Sequence, residues 1–305
     1  MSIAAMPLND PDGRLFPHLR RIIPELKLLF SEVYLSVSLQ TRKRQSEHIA
    51  WLKSEPFFKV LYYEEEFTAG DDFLTLYETT ARTAPPEEII HLCYLDRIAF
   101  ALQTNYRQQF IVDISSLGLE LVPVIFERSP AAWETHPRNY YELEMMVTDA
   151  GKWLFGRSLD YAWCHIALTA DMLLEIIPTI TRRDMAHVAE YILPIRDQVH
   201  TKAVDWLAWE DPFIYEEDPA RLKAEREQSL RETHKRLAYV VCNFSTKLVV
   251  VGSRQYGKRI FRFWSSTRAS VESIRLKKYN IVVSTEQVEV PVCDKGDATG
   301  FLINR

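Results

Sequence analysis

Apolar and polar positions along the first two-thirds of the chain switch repeatedly between a period of two and a period near 3.6. Leu15, Phe16, Leu19, Ile22, Ile23, Leu26, Leu29 and Phe30 recur at helical spacing, with basic residues on the other face. Pro17 fits a first turn, and Pro24 predicts a kink or break in that helix. Short apolar or alternating runs predict strands at residues 2–6, 33–38, 57–63, 89–95, 119–126 and 163–168. Between them, helical patterns cover 42–53, 73–80, 98–113, 140–155, 169–177 and 182–192, with Thr169 placed as an N-cap. A charged helix over 219–239 follows, with i,i+4 pairs such as Glu227 with Arg231. Runs at 239–244, 248–252, 260–265 and 280–284 then make the end of the chain β-rich.

Strands that alternate with helices imply βαβ crossovers and a mostly parallel sheet. The expected fold is therefore α/β: a Rossmann-like sheet flanked by helices, with a β-rich C-terminal appendage. The expected division is an α/β domain over 1–215, a charged helix or linker over 216–239, and a basic extension over 240–305. In such sheets ligands bind beyond the carboxyl ends of the strands, so the residues just after each strand carry the functional weight.

Composition adds limits. With 305 residues, 47% hydrophobic and 26% charged, the chain can build an ordinary core. Its net charge of −5 disfavours general nucleic-acid binding. A basic, aromatic stretch at 246–278 is the exception: Arg254, Arg259, Arg262 and Arg268 interleave with Phe261, Phe263 and Trp264. It reads as a contact for single-stranded nucleic acid or, as the overall charge favours, as a face docked on the acidic body. No apolar run reaches the roughly 20 residues that span a bilayer. Four scattered cysteines without a C-x-x-C pair fit free thiols and a cytoplasmic location. P-loop, G-x-G-x-x-G, H-E-x-x-H and G-x-S-x-G patterns are absent, which removes the activities tied to them.

Four polar clusters remain. Asn9-Asp10-Pro11-Asp12-Gly13-Arg14 follows the first strand; it is either a capped turn or a ligand loop, with Arg14 offering donors to a phosphate. Asp96-Arg97 ends the strand at 89–95, where the acid can ligate Mg²⁺ or Mn²⁺ or form an ion pair. Arg128, His136, Arg138, Glu142 and Glu144 form the densest group, and Arg138 and Glu142 lie one helical turn apart. Trp209-Glu210-Asp211 joins an aromatic ring to two carboxylates. It reads as an aromatic-lined joint or as a substrate contact in which an acid binds hydroxyls.

With these residues on the page, the chain resembles uncharacterised bacterial proteins with a glycosyltransferase-A-like fold, the nucleotide-diphospho-sugar transferase-like group. The resemblance covers roughly residues 3–211. It rests on Asp10-Pro11-Asp12-Gly13-Arg14, on Cys93 to Arg97, and on Thr135-His136-Pro137-Arg138 with Glu142 or Glu144. It implies transfer of a sugar from a nucleotide diphosphate donor. On that reading Asp10, Asp12, Arg14, Arg97, Arg128 and Arg138 meet the nucleotide and its phosphates. Asp96 holds Mg²⁺ or Mn²⁺, His136 and Glu142 do acid–base work, and Trp209, Glu210 and Asp211 contact substrate. The sequence departs from the family's paired acids, because Tyr94 stands where the first is expected. That departure supports a rival expectation: a non-catalytic ligand-binding or scaffold protein that has lost the two-acid metal motif.

Overall fold

The computed structural model describes residues 1–63, 68–118, 122–162, 165–185, 187–237, 240, 274–276 and 281–283. Apart from Val240, the runs expected at 239–244, 248–252 and 260–265, and nearly all of the basic stretch, lie outside these residues.

Seven strands form one sheet: β1 (Ser2–Leu8), β2 (Phe30–Val37), β3 (Phe58–Tyr62), β4 (Ile89–Leu92), β5 (Val124–Arg128), β6 (His165–Thr169) and β7 (His200–Val204). Their order is β3-β2-β1-β4-β6-β5-β7. The pairs β1–β2, β1–β4, β2–β3 and β5–β7 are parallel; β6 runs antiparallel to both β4 and β5. The fold is thus α/β with a mostly parallel sheet, and the five strands expected up to residue 126 all share it. A separate antiparallel pair, β8 (Ile274–Leu276) with β9 (Ile281–Val283), lies in the expected β-rich end.

The sheet separates two cores by simple alternation. Ala4, Met6 and Leu8 of β1 face a core with Leu19, Leu26, Ile98 and Phe110; Ile3 and Ala5 face another with Tyr77, Leu173 and Tyr191. Both faces of β1 are covered, so it reads as a continuous apolar run rather than an alternating one. The helices Leu15–Leu29 and Leu95–Gln103 cover the first face, and Ala69–Thr83 and Ala170–Ile176 the second. Side chains of Ser38, Thr68, Ser129 and Thr169 cap the helices that follow them, the last as expected.

Local expectations change. The helix expected at 182–192 is found as His187–Ile192, and the one expected at 219–239 is broken after Gln228. Pro24 does not break its helix, which runs unbroken over Leu15–Leu29. An interior proline costs about 3 kcal/mol. Phe16, Leu19, Ile22 and Leu26 are all buried, and each contributes roughly 1.5–3 kcal/mol, so burial wins. The helix expected at 42–53 is divided at Gln45 into Leu39–Arg44 and Ser46–Ser54. The one expected at 98–113 is divided into Leu95–Gln103 and Arg107–Ser115. The strand expected at 89–95 stops at Leu92, so Asp96 sits in a helical first turn, not at a strand end.

Topology fixes where a ligand can sit. The chain runs outward from β1 through β2 to β3, then returns to the other side of β1 as β4. Crossovers therefore diverge between β1 and β4, and the carboxyl ends of these two strands are the position at which open α/β sheets bind ligands in a crevice.

Gly151 tests the packing that holds the neighbouring loop. It lies in the helix Arg138–Phe155, and a Cβ there would stand 2.0 Å from the ring of Tyr161. Gly151→Ala should lower stability by about 1–3 kcal/mol despite alanine's better helix propensity. Gly118→Ala, where nothing lies within 4 Å, should not. Equal denaturation midpoints for the two variants would contradict this packing.

Candidate functional site at the carboxyl edge of the sheet

The loop after β1 is built by its neighbours. Asp10 is buried, and its carboxylate accepts the amides of Arg14 (2.9 Å) and Leu15 (2.7 Å), starting the next helix. Its own amide donates to Thr41 Oγ1 at 2.6 Å. Burial pushes the Asp10 carboxyl up despite these bonds. Gly13 has φ +76, and Gln45 donates to the Pro11 carbonyl beside it at 2.7 Å. Asp10 is thus a cap. Asp12 is exposed, 3.8 Å from Arg44. Arg14 is exposed and lies over the ring of Tyr215, 4.9 Å from its centroid.

Across the crevice, Asp96 opens the helix after β4, where helix-dipole and amide both favour an acid. Its Oδ1 accepts the Arg97 amide at 2.7 Å. Arg97 is buried; its guanidinium donates to the carbonyl of Ala208 at 2.8 Å and pairs with Glu210. Asp211 follows, with Arg226 at 3.6 Å. Burial pushes the Asp96 carboxyl up; Arg97 opposes this and Asp211 adds to it. Burial likewise pushes Glu210 up, to about 8, against Arg97 and with help from Asp96 and Asp211. The phenol of Tyr215 is raised by burial first, then by Asp211, with Arg226 and Arg14 opposing and Asp96 adding. One electrostatic neighbourhood therefore joins Arg14, Asp96, Arg97, Glu210, Asp211 and Tyr215.

Arg128, at the end of β5, forms a second network. Its guanidinium donates to Glu144 (2.5 Å) and Asp160 (2.9 Å) and lies 3.6 Å over the ring of Trp133. Arg236 reaches the other oxygen of Glu144 at 2.6 Å. Burial works to raise Glu144, but Arg128 and Arg236 outweigh it and hold the carboxylate low. His136 lies between the networks. Burial drives its pKa well down, and the charges of Arg97 and Arg128 drive it further. Its Nδ1 faces the Ala132 carbonyl at 3.0 Å, so that nitrogen carries the proton, and Nε2 is left without a hydrogen-bond partner. His136 is accordingly a neutral imidazole.

The remaining expected residues lie apart from these networks. Arg138 and Glu142 pair at 2.7 Å, with side chains 80% and 53% exposed, as their i,i+4 spacing alone predicts. Trp209 is buried, and its amide donates to Thr135 Oγ1 at 2.8 Å, which makes it part of the packing rather than a stacking surface. The segment after residue 215 is docked on the body: Asn139 donates to the Arg226 carbonyl (3.1 Å) and Tyr140 to Glu232 (2.9 Å). Tyr215 and Arg226 had no local sequence signal; only the fold brings them to Asp96 and Asp211.

A different group offers metal ligands. His91, Cys93 and His165 are fully buried with donor atoms within 4.8 Å of one another. His165 Nδ1 and His91 Nε2 are 3.1 Å apart. This nitrogen and sulfur set suits a soft ion rather than Mg²⁺ or Mn²⁺. The other ring nitrogens, His91 Nδ1 and His165 Nε2, lack acceptors, so the outer shell that metal-bound histidines use is missing.

No family model matches the chain, and no curated protein matches it. Among solved structures it is similar to one titled "Crystal Structure of a Mycobacterial Protein", at 13% identity and a TM-score of 0.48, covering 81% of this chain and 74% of that one. No helix among the described residues is long and apolar enough to cross a membrane.

Two measurements test the networks. Removing the centre of the second by Arg128→Met strands two buried carboxylates and should cost about 3–5 kcal/mol. Adding Glu144→Gln and Asp160→Asn should recover part of that loss in chemical denaturation. For Glu210, the folded carboxyl keeps its proton to about pH 8 and the unfolded one only to 4.5. The unfolded chain thus ionises first as pH rises, so this stability is full below 4.5 and lost through 8. The stability of the unsubstituted protein relative to Glu210→Gln should fall across that window; a flat difference would contradict the assignment.

Proposed function

We propose that the carboxyl edge between β1 and β4 binds the diphosphate of a nucleotide-sugar donor, and that the protein is glycosyltransferase-like. The observation that carries this reading is the meeting of Asp96, Glu210 and Asp211 around Arg97 at the crevice where the crossovers diverge. Three carboxylates meet there, with Arg97 paired to Glu210 and Arg226 beside Asp211. Burial first, with the neighbouring acids adding, explains why the cluster retains a proton, and a divalent cation can replace that proton.

The donor chemistry fits such an ion, because hard carboxylate oxygens suit Mg²⁺ or Mn²⁺. Asp96 and Asp211 are the residues that would hold it, and Asp211 supplies the second acid that Tyr94 does not. When bound, the ion would neutralise charge on a departing diphosphate. Arg14, exposed at the helix start, contacts a phosphate oxygen through its guanidinium, since Asp10 already takes the Arg14 and Leu15 amides. In the transfer, an acceptor hydroxyl oxygen bonds to the sugar's anomeric carbon as the bond to phosphate breaks. The hydroxyl proton goes to a carboxylate of the Glu210–Asp211 pair, which replaces Glu142 in that role. His136, held neutral between two arginines, orients the edge rather than taking a proton.

A second reading has its own support. Arg97 is occupied by Glu210 and backbone carbonyls, and Arg226 already lies by Asp211. An edge neutralised from within suits a protein that binds a ligand without transforming it.

Melting temperature with nucleotide sugars, with and without Mn²⁺, separates the readings. A ligand at 100 times its dissociation constant should add roughly 2.7 kcal/mol. Asp96→Asn should abolish the Mn²⁺-dependent part, and Arg14→Ala should weaken binding with or without the ion. Binding without sugar release or transfer would favour the second reading; no binding to any nucleotide sugar would end the first.

A further inference from the structure

At the carboxyl end of β5, beside the Arg128 network, lies a pocket of about 150 Å³. A cavity of roughly that volume accommodates one six-membered ring. Its apolar wall is Trp133, Met145 and Leu159; its polar groups are Glu127, Thr148 and Ser158. Ser158 is exposed and marks the mouth, while Leu159 is buried.

Charge decides what fits. Arg128 and Asp160 also border the pocket, and they are paired to each other at 2.9 Å. Their charges cancel, so neither offers a counter-ion to a ligand. Glu127 accepts the Asp160 amide at 3.0 Å. Burial pushes its carboxyl up to about 7, with Asp160 adding and Arg157 opposing. Near neutral pH it is therefore both an O–H donor and an acceptor. An anion would enter without a partner for its charge, and a cation would find only Glu127, whose carboxylate burial disfavours. A neutral one with several hydroxyls meets hydrogen-bonding groups on one side and an apolar wall for its C–H face on the other.

We propose that this pocket binds a small neutral polyol, one ring in size, through Glu127, Thr148 and Ser158, with its C–H face against Trp133 and Leu159. The site is separate from the β1–β4 crevice and does not rest on the nucleotide reading; failure of every nucleotide sugar to bind would leave it standing.

The test uses myo-inositol as probe and saturation-transfer NMR on the full chain, with n-butylammonium and benzoate as charged comparisons. Melting temperature is unsuitable here, because polyols stabilise folds generally through exclusion from the surface. The expected result is saturable inositol binding that Ser158→Trp, at the exposed mouth, weakens by at least about ten-fold, equivalent to 1.4 kcal/mol. Glu127→Ala should weaken it similarly, and both variants should keep the circular dichroism spectrum of the parent. The proposal is overturned by absence of saturable inositol binding, by preference for either charged probe, or by unchanged affinity in Ser158→Trp.

Discussion

The parallel pairing of β1 with both β2 and β4 is the constraint from which the rest follows. Parallel neighbours cannot be joined by a tight turn, so every connection crosses a face of the sheet and carries a helix. All of these parallel strands then end at the same rim. Arg14 follows β1, and Asp96 and Arg97 follow β4, so topology alone brings them to one crevice. The chemistry of the edge is a consequence of strand direction before it is a matter of individual side chains.

At that edge, charge is handled by enclosure. Arg97 and Arg128 are both buried, and each is matched by acids from distant parts of the chain. Such pairs contribute little net stability over an apolar replacement, yet losing one partner is expensive. The two clusters differ in balance. Around Arg128, two arginines meet two acids, and Glu144 stays ionised. Around Arg97 burial outweighs the paired arginine, and Glu210 retains a proton. The first arrangement is closed on itself, and the second is able to exchange a proton for another positive group.

Much of the scaffold was legible in the residues. The strands up to β5, the amphipathic faces of Leu15–Leu29 and Ala69–Thr83 and the Thr169 cap follow from local periodicity, which depends on neighbours within a turn or two. β7 left no such signal: among His200 to Val204 only Val204 is buried, so no apolar run marks it. The reversal of β6 is equally silent, because strand direction is set by what pairs alongside. At the edge, strand-end reasoning named Arg14, Asp96 and Arg97, and the aromatic-acidic run named Glu210 and Asp211. The fold brings these five into one electrostatic neighbourhood. Sequence reasoning also assigned ligand roles to Asp10 and Arg138, which a cap and a surface pair account for. The partners of Arg128, 16 and 32 residues away, belong to the tertiary fold.

The antiparallel course of β6 has a consequence for reach. Because β6 lies between β4 and β5, the carboxyl ends of β4, which leads into the helix of Asp96, and of β5, which ends in Arg128, are two strand spacings apart, roughly 10 Å. His165, at the amino end of β6, occupies the interval with a buried neutral ring. A lone small ion can therefore engage one cluster but not bridge both. A molecule that touches the two rims must be elongated, with its middle lying across the start of a strand that runs the other way.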